Sequence, residues 1–300
     1  MSSAYDPDEA HIEASRAPLL DHLIELRSRL IWSTVAFFIA FVVCFVFSED
    51  IYLFLVHPFQ VAVALMDAQK AAGTSHGPFD LIIALANLQD APVAKEGKEL
   101  DLVFTAPLEF FFAKLKLAGF GAIVLSFPVI AWQLYRFVAP GLYKRERNAF
   151  LPFLLASPFL FLLGAALVYY IMLPFVMWFS LSQQIDAPGV TVSLLPKISD
   201  YLSLVTTLLL AFGLCFQLPV VMSLLGLAGI LDSKQLAAGR RYAIVGVVVL
   251  AAVVTPPDPI SQLMLAVPLV ILYEISIWCV RLIELRRKRE DDAPIPEGVL

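Results

Sequence analysis

The stretch Leu30–Phe47 reads LIWSTVAFFIAFVVCFVF and contains no charged residue. A transmembrane helix needs about 20 mostly apolar residues, so this segment is long enough to cross a lipid bilayer. Three further stretches share its lack of charge: Leu117–Tyr135, Ala149–Ile185 and Tyr201–Leu231. The chain is therefore predicted to contain at least four membrane-spanning helices.

Two shorter apolar segments follow, joined by the turn TPPDP at 255–259. Tyr242–Pro257 reaches only about 24 Å as a helix, against a hydrocarbon core of about 30 Å, so either the helix stops short or the bilayer thins around it. Ile260–Val280 is interrupted by Glu274. With both included, we predict an all-α integral membrane protein with six transmembrane helices, at about 30–48, 110–137, 150–178, 200–226, 241–256 and 260–280.

The composition supports a lipid environment for the whole chain. Of 300 residues, 60% are hydrophobic and 16% are charged, and the mean hydropathy is +0.81. A soluble domain could not bury that much apolar surface in one core. The net charge of -5 comes largely from the N-terminal segment and the first long loop, so it does not indicate nucleic-acid binding.

The distribution of basic residues predicts the orientation. Fifteen of the 21 Lys and Arg residues lie before the first span, between the second and third, between the fourth and fifth, or after the sixth. Four lie on the other side, and Lys114 and Lys116 lie at the outer end of the second span. Because cytoplasmic loops retain positive charge, both termini are predicted to be cytoplasmic.

The segments outside the spans differ in character. Residues 1–17 and 284–300 are polar and predicted to be a disordered N-terminus and a cytoplasmic tail, leaving 18–283 as the membrane domain. Apolar residues at positions 19, 23, 26 and 30 predict a short interfacial helix that Pro18 begins.

The first outer loop and the prolines predict further detail of the membrane domain. Two apolar runs in the loop 48–107, at 51–66 and 79–88, predict interfacial helices, the first containing Pro58. Prolines within or near the spans are predicted to bend them; they lie at positions 128, 152, 158, 174, 219 and 268.

The sequence contains no recognisable catalytic or metal-binding motif. HExxH, G-x-S-x-G and P-loop patterns are missing, as is a pair of intramembrane acids that could form an aspartyl site. Cys44, Cys215 and Cys279 fall inside predicted spans without ligand spacing. We therefore predict no enzymatic activity, metal, disulfide or cofactor.

Two carboxylates lie beside basic residues on the predicted cytoplasmic face. Glu25, in HLIELRSRL, lies four residues before Arg29, and a simple i,i+4 pair would explain it. Glu146, in LYKRER, is one acid among bases, and neutralisation of those bases would suffice. Composition alone favours these plain roles over ligand binding.

Three polar residues near or inside the last spans need partners. Asp258 precedes Pro259 and has the sequence signature of a helix N-cap. Gln217 lies within a span, where its amide could bond either the carbonyl that Pro219 frees or a neighbouring helix. Glu274 is an ionisable group inside the last span and indicates an internal pair or a functional site.

The order of these motifs resembles the TatC family of twin-arginine protein translocases. The resemblance covers about residues 18–283 and is carried by HLIELRSRL (22–30), FPVI (127–130), FVAPGLYKRER (137–147), Phe212-Gly213 with Pro219, and TPPD (255–258) with Gln262. Five ordered motifs in a matching topology make this signal specific.

The resemblance implies a receptor in the bacterial inner membrane that binds paired signal-peptide arginines at its cytoplasmic face. It implies single-span partners of the TatA and TatB type, a homo-oligomer within a receptor complex, and transport of folded proteins driven by the proton-motive force. By the family motif, the signal-peptide site consists of Glu25, Glu146, Arg27, Phe137 and Tyr143. A guanidinium binds a planar carboxylate bidentately, so two arginines suit two acids.

We also predict partner-helix contacts or structural roles for five further residues, Pro58, Gln217, Asp258, Gln262 and Glu274. The family often has Glu where this chain has Gln217, and the outer loop between Lys70 and Asp101 is longer than the common pattern.

Two other classes of function compete with this reading. A secondary transporter could use Gln217 and Glu274 as a midplane site, but the sequence has no internal repeat and Glu25 would be unexplained. An intramembrane enzyme would need a nucleophile with a base, and no such pair is evident.

Overall fold

The computed structural model describes residues 7–72, 102–138, 144–187, 190–192, 194–254 and 259–291. Ten helices account for most of this part of the chain: α1 Pro7–Val46, α2 Ser48–Ala72, α3 Glu109–Val138, α4 Lys144–Leu167, α5 Leu173–Ser182, α6 Ile198–Cys215, α7 Leu218–Leu227, α8 Ser233–Ala238, α9 Arg240–Val254 and α10 Pro259–Asp291. A π-helical turn, Val168–Met172, joins α4 to α5. Strands β1 Ile185–Ala187 and β2 Val190–Val192 form a small antiparallel hairpin that the sequence did not predict.

Six helical segments of the described chain are long and apolar enough to cross a membrane. They are Leu23–Val46, Ser48–Met66, Glu109–Phe137, Leu155–Ser182, Ile198–Leu227 and Gln262–Arg286. The fold class is confirmed. By length and composition the candidates include Ser48–Met66, which lies in the run predicted to be interfacial. They do not include the predicted span 241–256, which is the 15-residue helix α9, about 22 Å long.

Contacts between α2 and its neighbours show which way α2 runs. Its Glu49 forms an ion pair with Lys114 of α3, 2.6 Å from carboxylate to ammonium. Three residues further along α2, Tyr52 packs edge-to-face on Phe110, which is one turn nearer the start of α3. Helix α2 therefore heads away from the middle of α3 and toward the face where α3 begins, as expected of an interfacial helix. The second predicted interfacial run, 79–88, lies outside the described residues.

Two of the candidate spans are interrupted beside a proline, Leu155–Ser182 at Pro174 and Ile198–Leu227 at Pro219. Pro174 lies in the first turn of α5, directly after the π-helical turn. Pro219 lies in the first turn of α7, and Phe216 and Gln217 form the break before it. Pro128 and Pro268 lie inside continuous helices.

The first and last helices extend further into polar sequence than predicted. Helix α1 runs without interruption from Pro7, so the segment 7–17 is helical rather than disordered, and the interfacial helix and the first span are one helix. Helix α10 continues to Asp291, well into the segment predicted to be a tail. In both places a helix already formed in the membrane extends into polar sequence, where each added residue gains a backbone hydrogen bond without new nucleation.

The core lies between α4, the π-helical turn with α5, α6 and α10, while α1 is largely exposed. The largest fully buried side chains include Phe161, Phe212, Leu208, Leu265 and Leu269. On α1, apolar side chains such as Trp32, Phe38 and Val42 are exposed, which suits a surface facing lipid rather than water.

Two glycines permit close packing of α4 against the break between α6 and α7. The ring of Phe161 lies 2.6 Å from where a Cβ on Gly213 would be, and the ring of Phe216 lies 2.8 Å from the corresponding position on Gly164. Small residues at such crossings let membrane helices approach closely. Each ring thus occupies the space that a side chain on the facing helix would take.

Candidate functional site

Glu25 projects from α1 and forms an ion pair with Arg29 one turn later. The distance from Arg29 Nη2 to Glu25 Oε1 is 2.9 Å, and Arg29 Nη1 donates a hydrogen bond to Gln133 Oε1 of α3 at 3.3 Å. The Glu25 side chain is 32% exposed and that of Arg29 is 20% exposed. The predicted i,i+4 pair is present, and Gln133, which the sequence reasoning missed, links it to α3.

This small cluster retains unused hydrogen-bonding capacity. Glu25 Oε2 accepts no hydrogen bond from any described residue, and the buried Nε of Arg29 has no partner there either. A carboxylate offers about four lone-pair sites on its two oxygens. Glu25 can therefore accept a further donor without releasing Arg29.

The other residues assigned to this site are described to different extents. Arg27 is exposed on α1, and Phe137 is half-buried one turn after Gln133 on α3. Glu146 lies in the first turn of α4. Its side chain lies outside the described part of the structure, as do Tyr143, in the segment 139–143 between α3 and α4, and Asp258.

Gln217 forms a reciprocal pair with Ser157 of α4. Ser157 Oγ donates to Gln217 Oε1 at 2.7 Å, and Gln217 Nε2 donates to the Ser157 carbonyl at 2.9 Å. The amide therefore bonds a neighbouring helix of the same chain and not the carbonyl of Cys215, which Pro219 deprives of its helical donor. Ser157 was not predicted as the partner because serine is common in spans and carries no distinguishing signal.

Glu274 is paired internally. Its two carboxylate oxygens accept from Arg240, Nε to Oε1 at 2.8 Å and Nη2 to Oε2 at 2.9 Å. Arg240 is the first residue of α9, so this fork fixes the start of α9 to α10. Glu274 therefore has a charged partner within the described chain.

Further contacts tie the loop between α7 and α9 to α10. Tyr273 donates to the carbonyl of Leu236 at 2.8 Å. Glu284 accepts from the backbone N–H of Ser233 at 2.6 Å and from its hydroxyl at 2.5 Å. Near the middle of α9, Gln262 Nε2 donates to the Val248 carbonyl at 3.2 Å. The short helix α9 is thus held to α10 at its start and near its middle.

Pro58 has a structural consequence within α2. Because proline lacks an N–H, the carbonyl of Phe54, four residues earlier, has no helical donor. The hydroxyl of Tyr169 donates to that carbonyl at 2.8 Å, and Tyr201 donates to the next one, on Leu55, at 2.6 Å. Pro58 therefore creates an acceptor that docks α2 onto the helix bundle.

Comparison with known proteins identifies the family. A family model described as "Sec-independent protein translocase protein (TatC)" matches residues 21–268. This chain belongs to the TatC family. It is therefore a component of a Sec-independent, twin-arginine protein translocase and a multi-pass membrane protein, and the resemblance noted in the sequence is confirmed.

Individual TatC relatives match over nearly their whole length. The protein of Magnetococcus marinus is 38% identical over 278 residues, covering 93% of this chain and 89% of the relative. That of Rickettsia prowazekii is 35% identical, covering 89% and 94%. A crystal structure described as the twin arginine translocase receptor TatC has a TM-score of 0.65 at 33% identity and covers 88% of this chain and 99% of that one.

Proposed function

We propose that this TatC-family chain binds twin-arginine signal peptides at the face where α1 enters the membrane domain. Glu25 and Glu146 would each hold one arginine, with Arg27, Phe137 and Tyr143 lining the site. With TatA- and TatB-type single-span partners, a homo-oligomeric receptor complex of this chain would transport folded proteins across the bacterial inner membrane, driven by the proton-motive force.

The observation that best supports this proposal is the state of Glu25. One carboxylate oxygen is held by Arg29, which Gln133 positions in turn, and the other is open to donors from outside the described chain. Positioned carboxylates bind guanidinium groups with little ordering cost, because their side chains are already fixed. Arg29 thus fixes the orientation of Glu25 without filling its capacity.

The position of Glu146 is compatible with a second arginine site on the same face. It lies in the first turn of α4, and only five residues separate the end of α3 from the start of α4. Gln133, which contacts Arg29, lies in the last turns of α3. Both carboxylates therefore belong to the end of the molecule where α3 ends and α4 begins.

The distribution of charge supports a cytoplasmic location for this face. Fifteen of the 21 basic residues fall on the same side as the two termini. Under the positive-inside rule this side faces the cytoplasm, where signal peptides of folded precursors are first available.

Peptide binding to the purified chain tests the proposal. A fluorescent twin-arginine peptide is titrated against the wild type, Glu25→Gln and Glu49→Gln, the last being a matched loss of one acid at the opposite face. Loss of a hydrogen-bonded charge pair is worth about 1.5–3 kcal/mol, so Glu25→Gln should weaken binding about tenfold to a hundredfold. Glu49→Gln should leave it unchanged. Equal affinities for the wild type and Glu25→Gln would contradict the proposal.

A Lys-Lys version of the peptide provides a second test of the same site. An ammonium group cannot make the planar, two-point contact of a guanidinium, so this peptide should bind the wild type more weakly. Its affinity should also depend less on Glu25. Indistinguishable binding of the two peptides would contradict recognition by paired carboxylates.

A further inference from the structure

A groove lies between the starts of α3 and α6, at the opposite end of α3 from Gln133. Its charged lining consists of Lys116, Lys197, Glu109 and Asp200, with Ser203 beside them, and we call it the lysine groove. Leu108, Phe112, Ala113 and Leu202 supply its apolar wall.

Backbone and carboxylate contacts hold the rim of the lysine groove. The N–H of Val103 donates to the Pro196 carbonyl at 3.3 Å, and the N–H of Ile198 donates to the Val103 carbonyl at 3.1 Å. Glu109 accepts from the N–H of Thr105 at 2.7 Å and from the hydroxyl of Ser199 at 2.5 Å. The segment before α3 is therefore fixed to the start of α6, so hydrogen bonds hold the two walls of the groove in place.

The position of Lys116 along α3 sets the depth of the groove in the membrane. The uncharged stretch Leu117–Tyr135 begins at the next residue, and as a helix it covers about 28 Å, close to the thickness of the hydrocarbon core. Lys116 therefore lies at the boundary between hydrocarbon and headgroups. The lysine groove opens at the level of lipid phosphates.

Two charged side chains in the groove, Lys116 and Asp200, have no oppositely charged partner among the described residues. Lys116 donates to the hydroxyl of Ser203 at 2.6 Å and pairs with no carboxylate of the described chain, whereas nearby Lys114 pairs with Glu49. Asp200 is exposed, and its side chain has no partner among the described residues. An unneutralised ammonium and an unneutralised carboxylate thus line the same groove.

We propose that the lysine groove binds an amine-bearing zwitterionic phospholipid, with the phosphate on Lys116 and Lys197 and the headgroup amine on Asp200. A phosphate accepts strong charge-assisted hydrogen bonds from ammonium groups, and a primary amine donates them to a carboxylate. The exposed rings and side chains of Phe112 and Leu108 provide an apolar surface for an acyl chain. The occupant is chosen by charge complementarity, since only a headgroup with a primary amine offers Asp200 both an opposite charge and hydrogen-bond donors.

Native mass spectrometry of the detergent-purified chain tests this proposal. The probes are phosphatidylethanolamine, phosphatidylcholine and phosphatidylglycerol with identical acyl chains. The wild type should bind phosphatidylethanolamine at least about fivefold more tightly than the other two. Asp200→Asn should remove this preference, and Lys116→Gln should weaken binding of all three lipids by a similar factor.

Two controls separate a specific site from general effects. Lys114→Gln removes a neighbouring lysine outside the groove and should change nothing, while Lys116→Arg keeps the charge and should retain binding. Equal lipid binding by Lys116→Gln and Lys114→Gln would overturn the proposal, as would a wild-type preference for phosphatidylglycerol. Competition by water-soluble glycerophosphoethanolamine as strong as that by the lipid would overturn the role of the apolar wall and hence of a lipid.

Discussion

Replacing Gln217 by Leu should destabilise the fold of this chain rather than its association with partners. The change removes both bonds to Ser157, one accepted at 2.7 Å and one donated at 2.9 Å. Side-chain hydrogen bonds between membrane helices contribute about 0.6 kcal/mol on average and up to about 1.7 kcal/mol. We therefore expect the free energy of unfolding to fall by about 1–3 kcal/mol.

The packing around Gln217 and Ser157 explains why losing their hydrogen bonds should lower stability. Ser157, Phe161 and Gly164 lie on one face of α4, and Phe161 packs on Gly213 just before the break that holds Gln217. The pair therefore lies at one end of a closely packed crossing with little freedom to rearrange.

Unfolding of the purified chain in mixed micelles, followed by circular dichroism, measures the effect. Ser157→Ala and the double variant complete a cycle that isolates the coupling between the two side chains. Gln262→Leu is the matched control, because it removes another span amide that makes a single, longer bond to the Val248 carbonyl, 3.2 Å. It should cost about half as much or less. The reasoning would be refuted if Gln217→Leu were as stable as the wild type but the complex lost its partner proteins. Gln217 would then be a contact with a partner protein.

Three further outcomes follow from the structure. Tyr169→Phe leaves the Phe54 carbonyl without its donor and should lower the free energy of unfolding by about 1–3 kcal/mol. Adding Pro58→Ala supplies a helical N–H to that carbonyl and should recover part of the loss in an unfolding assay. Strictly additive effects of the two changes would contradict the role assigned to Pro58. Arg240→Gln breaks an exposed ion pair and should cost less than about 1 kcal/mol, with the difference disappearing at high salt; a larger, salt-independent loss would contradict this. A single cysteine at position 145 should react with an impermeant reagent only from the cytoplasmic side, and labelling from outside intact cells would contradict the orientation.

Helix positions were predictable because lipid imposes a simple rule on sequence. Uncharged runs marked most of the candidate spans. Pro174 and Pro219 lie beside the two interruptions within them, where each removes a backbone donor. The extension of α1 to Pro7 and the hairpin β1–β2 were missed. The start of α1 lies in polar sequence, where hydrophobic periodicity carries little information. The strands of the hairpin do alternate apolar and polar residues, but each is only three residues long, too short for that pattern to predict a strand.

The sequence showed which polar side chains need partners, but it identified a partner only where the two residues are close in the chain. The ionic pair of Glu25 with Arg29 could be expected because the i,i+4 spacing is local. Gln133 and Ser157 come from distant helices, and only the three-dimensional packing brings them close. The partner of Glu274 was equally hidden, because Arg240 lies 34 residues earlier in the chain.

The most direct test of arginine recognition is a double-mutant cycle between the receptor and the signal peptide. Glu25→Gln and Glu146→Gln are each crossed with Arg→Gln changes at the two peptide arginines, and binding affinities are measured for every combination. If each carboxylate holds one arginine, each should couple to one peptide position by about 1.5–3 kcal/mol and to the other only weakly. Coupling near zero for every pair would contradict the account, because both acids would then serve only to neutralise their neighbouring basic residues.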